Sequence, residues 1–83
     1  MSIKENIRKI LEALANAKRD EIGNALVDGA WLQKETGLSP VDINDGVEIL
    51  QQQGLVKWVQ WLGTAPYTFG QVQITASGRY SIQ

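Results

Sequence analysis

The hydrophobic period of this chain changes at Gly54, and that change constrains the fold more than any other feature of the sequence. Before it, apolar residues recur every three to four positions, which gathers them on one face of a helix. After it the pattern shortens toward alternation, as a strand requires. The stretch from Leu55 to Leu62 is rich in β-branched and aromatic residues, and Gln71-Val72-Gln73-Ile74-Thr75 alternates polar with apolar. Between them Gly63 to Gly70 holds the Gly and Pro of a hairpin loop, too long for a two-residue turn. Helices followed by one hairpin place the chain in the α+β class.

The helices carry their own punctuation. Ser2 followed by Glu5 has the form of a capping box, and Ile3, Ile7, Ile10, Leu11 and Leu14 then form one stripe, so a first helix is expected over 2–17. On its other face Glu5 precedes Lys9 by four residues, the favourable order for an ion pair. From Lys18 to Asp28 the apolar residues Ile22, Ala25, Leu26 and Val27 are interrupted by Gly23, which suits a short helix or a loop. Asp28-Gly29 signals a turn, and Ala30 to Thr36 gives about two helical turns closed by Gly37 as a left-handed cap. Leu38 then plugs the core. Ser39 is a cap, Pro40 fits the first helical position, and Asp42 can reach back toward the free amides. This third helix should run to about Gln53, stop at Gly54, and turn Ile43, Val47 and Leu50 inward. The tail turns at Gly78 toward a last extended piece. No repeat or linker interrupts the chain, so a single domain over 1–83 is expected.

Composition removes several kinds of chemistry. The chain has 83 residues with no cysteine and no histidine. A chain of this length buries roughly 60 to 65% of its extended surface, enough for one core but not for a deep substrate cleft. Without Cys there is no disulfide, no thiolate nucleophile and no Cys-type zinc site; without His there is no imidazole base or ligand. The acids of the third helix lack a pocket that would separate their pKa values for glycosidase chemistry. The expectation is therefore no enzyme, no cofactor, no metal and no small-molecule substrate. No apolar run approaches the eighteen or so residues of a membrane span, so no membrane partner is expected and a cytoplasmic protein is the default reading.

The net charge of −1 conceals a segregation. Residues 1–19 are +3, with Lys4, Arg8, Lys9, Lys18 and Arg19 against Glu5 and Glu12; residues 20–50 are −6, with Lys34 as their one base; the remainder is +2 from Lys57 and Arg79. The acidic middle contains the third helix.

A helix, the corner Glu35-Thr36-Gly37-Leu38-Ser39-Pro40, a helix ending in Gln53-Gly54-Leu55-Val56, and a hairpin leading to Ile74-Thr75-x-x-Gly78-Arg79 together resemble a winged helix-turn-helix domain over roughly residues 28–80. The resemblance implies a three-helix core with the helix-turn-helix at about 28–53 and a wing hairpin at about 55–76. It further implies that the helix from Pro40 to Gln53 lies in a DNA major groove and that the loop from Gly63 to Gly70 touches phosphates or the minor groove. On that reading Val41, Asp42, Asn44, Asp45, Glu48 and Gln52 form the recognition surface. Lys34, Lys57, Thr64, Tyr67, Thr68 and Arg79 are then the candidate wing and phosphate contacts.

The sequence departs from a DNA-reading pattern on the recognition helix itself. Opposite the buried stripe stand Val41, Asp45, Glu48 and Gln52, flanked by Asp42, Asn44, Ile49 and Gln51, with no Lys or Arg among them. Affinity for DNA comes largely from cations that neutralise phosphates, and an acidic face is repelled. Two readings follow. One is a non-catalytic regulatory module that contacts a protein partner or a second copy of itself, through Lys4, Arg8, Lys9, Ile49, Trp58 or Trp61. The alternative is a DNA-binding regulator that uses the helix at 40–53 and the wing at 63–70, with weak affinity. Trp58 and Trp61 are three apart and so fall on opposite faces of a strand. Tyr67 and Phe69 share one side of an extended loop, as either a packed wing or a ligand-binding one.

Overall fold

A computed structural model describes residues 3–17, 26–60 and 65–82. These residues form an α+β arrangement of four helices and one antiparallel hairpin, compatible with a winged-helix layout. The elements are α1 (Ile3–Ala15), α2 (Gly29–Thr36), α3 (Pro40–Gln52), β1 (Val56–Gln60), β2 (Gln71–Ile74) and α4 (Ala76–Ser81).

The corner between α2 and α3 forms where the sequence places it. Asp28 caps α2 by accepting from the Trp31 N–H at 2.8 Å, and Gly37 ends it at φ 73°, a left-handed conformation that costs a side chain energy. Two residues later the Ser39 hydroxyl accepts from the Asp42 N–H at 3.3 Å, with Pro40 opening α3. Gly54, at φ 74°, follows the end of α3 and turns the chain into β1.

Ile43, Val47 and Leu50 of α3 are fully buried, together with Ile10 and Leu14 of α1, Leu32 of α2 and Val72 of β2. Leu38 plugs the same cluster, as expected from the sequence. The stripe on α1 is less regular than its sequence implies. Asn6 is buried among the apolar residues because it precedes Ile10 by one turn and shares its face, whereas Ile3, in the first turn, is 46% exposed. The helix is also shorter than 2–17; Ala17 is buried just beyond it, and Ser2 of the capping box lies outside the described residues.

The hairpin pairs Val56 with Ile74, Lys57 with Gln73 and Trp58 with Val72; an irregularity at Val59 then sets Gln60 against Gln71. Val27 adds a one-residue bridge on the far side of β2, its N–H and C=O bonded to those of Val72 at 3.0 and 2.9 Å. Residues 18–25 of the segment read as a short helix or loop lie outside the described residues, and its end is extended at this bridge.

The tail corrects the sequence reading outright: 76–81 is a helix, not an extended piece. Thr75 starts it, its hydroxyl accepting from the Gly78 N–H at 3.0 Å while donating to the Gly54 carbonyl at 2.8 Å. No helix among the described residues is long and apolar enough to cross a membrane.

Candidate interaction surface

The outward face of α3 is the one drawn from its wheel. Val41 is 66% exposed, and Asp45, Glu48 and Gln52 are exposed along the same side. Asp42, Asn44 and Ile49 are half-buried on its flanks. No cation lies anywhere on α3.

Two polar side chains of α3 are engaged within the protein. The Asn44 amide is clamped on the loop between β1 and β2: its Nδ2 donates to the Pro66 carbonyl at 2.9 Å, and its Oδ1 accepts from the Thr68 N–H at 3.1 Å. An asparagine suits this role because one amide group carries both a donor and an acceptor. Gln51 accepts from the Trp58 N–H at 3.1 Å, which covers an amide on the outer side of β1 that another strand could otherwise use. Asn44 thus supports the loop between β1 and β2.

In the described part of the loop between β1 and β2, the two aromatic side chains pack inward while Ala65, Pro66 and Thr68 are exposed. Phe69 is 1% exposed, with ring centroids 6.1 Å from Tyr67 and 6.4 Å from Trp58. Tyr67 donates its O–H to Gln33 Oε1, and its ring covers Gly29 so closely that a side chain there would overlap it. Tyr67, expected among the wing contacts, is therefore half-buried between the loop and the start of α2. Thr68 is exposed, with its amide held by Asn44. Thr64 and Trp61 lie outside the described residues.

The candidate phosphate contacts are distributed over three elements. Lys34 is exposed in the last turn of α2, Lys57 is exposed on β1, and Arg79 is half-buried in α4. Among the candidate interface residues, Lys4, Arg8 and Lys9 are exposed on α1, and Arg8 Nε is 3.0 Å from Glu12 Oε1. The outer face of α1 is consequently mixed in charge rather than purely basic. Ile49 and Trp58 are half-buried, Trp58 packing against the core. Tyr80 is 80% exposed on α4.

Among the described residues no three acidic, His or Cys groups come together as a metal site. Comparison with protein-family models, with curated proteins and with solved structures gives no match for this chain.

Proposed function

We propose that this chain is a non-catalytic winged-helix module that binds a protein, not DNA, through surfaces that include the outward face of α3. The observation that carries the reading is the chemistry of that face. Its exposed members are one valine, two carboxylates and one glutamine, with a third carboxylate on the flank and no cation on the helix. A helix of that kind is repelled by a phosphate backbone, and the Asn44 amide on its flank is taken up by the loop between β1 and β2. The described part of the loop, from Ala65 to Gly70, contributes no cation to offset this. The order of helix, corner, helix and hairpin supports the winged-helix assignment, and fold likeness alone leaves the partner open.

Titration with long random-sequence duplex at two salt concentrations tests the proposal. Binding no tighter than about 10 μM near physiological salt is expected. Submicromolar binding with a steep salt slope would overturn it in favour of a DNA-binding regulator.

A further inference from the structure

A groove of about 380 Å³ runs between α1 and α4, lined by Lys4, Ile7, Arg8, Leu11, Ser81 and Ile82. Its floor is apolar: Leu11 is buried and Ile7 and Ile82 are half-buried against the core. Its charged members are both cations, exposed and one helical turn apart on α1. The outward stripe of α3 is the complement. Val41, Asp45, Glu48 and Gln52 follow one another at spacings of four, three and four residues, which sets them along one side of the helix. It offers an exposed apolar side chain first and two carboxylates about one turn apart after it.

Resting on the protein-partner reading above, we propose that the occupant of the α1–α4 groove is the outward face of α3 from a second copy of this chain. Val41 lies against the apolar floor, and Asp45 and Glu48 face Lys4 and Arg8. Arg8 keeps Glu12 as its neighbour on α1, and its guanidinium has further donors for an incoming carboxylate. Groove and stripe are different surfaces, so the contact is heterologous and each copy can give one and receive one. With one apolar anchor and exposed ion pairs, the association is weak and sensitive to salt.

The test is a charge exchange read by sedimentation from about 20 to about 500 μM protein. The wild-type chain should rise above its 9.2 kDa monomer mass with concentration and fall back toward it in high salt. A Lys4→Glu/Arg8→Glu variant and an Asp45→Lys/Glu48→Lys variant should each remain monomeric alone, and an equimolar mixture should regain association. All the substituted residues are exposed, and circular dichroism matching the wild type identifies folded variants. A wild-type monomer at every concentration, variants that associate like the wild type, or a mixture that stays monomeric would each overturn the proposal. None of these outcomes touches the DNA titration, so loss of self-association is distinguishable from loss of the protein-partner reading.

Discussion

Gly78 of α4 packs directly on the backbone of Leu55: a Cβ at Gly78 would overlap the Leu55 carbonyl oxygen and lie 2.7 Å from Ile74 Cγ1. The same carbonyl accepts from the Thr75 N–H at 3.0 Å, and the Thr75 hydroxyl reaches the Gly54 carbonyl. The exit from α3 and the entry to α4, some twenty residues apart in sequence, are thus one interlocked joint. It fixes the hairpin between them at both ends.

Replacing Gly78 with Ala should therefore destabilise the protein by about 1 to 3 kcal/mol, because backbone cannot yield as a flexible side chain would. Ser77→Ala, at an exposed position on the same helix, should change stability by less than about 0.5 kcal/mol. Chemical denaturation of both variants checks this. Equal stabilities would mean that α4 does not sit on Leu55.

Leu50→Ala tests the orientation of α3. Leu50 is fully buried, so truncation should cost roughly 2 to 5 kcal/mol, a large part of the stability of a small domain. A thermal melt close to that of the wild type would mean that the helix faces another way.

What could be read from the sequence was what short-range chemistry specifies. Ser39-Pro40, Gly37 and the spacing of Ile43, Val47 and Leu50 each act within a turn or two of helix, and all appear as expected. The tail differs from its sequence expectation because Gly78 serves as a site of close packing inside a short helix, and a glycine in sequence looks the same in either role. The Val27 bridge escaped notice because one residue has no period. On the candidate surface, the wheel gave the direction of each side chain on α3 but not its engagement. Asn44 meets residues 22 and 24 positions away, and Tyr67 meets one 34 positions away, and nothing local announces such bonds.

Asn44→Ala should release the loop between β1 and β2 without unfolding the core. Pro66 and Thr68 are exposed, so water replaces the lost partners and the loss should be near 1 kcal/mol. Amide exchange at Thr68 should accelerate roughly tenfold, while that at Val72, bonded to Val27, stays nearly constant. Unchanged protection at Thr68 would show that the clamp does not hold the loop in solution.

Asn6 is 4% exposed, and its Oδ1 has no hydrogen-bond partner among the described residues. An unsatisfied buried carbonyl is destabilising by about 1 to 3 kcal/mol, so Asn6→Leu should raise the melting temperature by a few degrees. A fall in the melting temperature would reveal either a partner for the amide or no room for the added methyl groups. Asn6→Ala, which adds no volume, separates the two.

If the outward face of α3 meets a protein and not DNA, as proposed, neutralising that face leaves the affinity for DNA nearly unchanged. Asp42→Asn/Asp45→Asn/Glu48→Gln removes three negative charges while keeping the shape of each side chain. Titrated beside the wild type against the same random duplex at one salt concentration, the variant should bind within about twofold of it if those residues face a protein instead. A gain in affinity of tenfold or more would place the helix against the phosphate backbone and contradict the account.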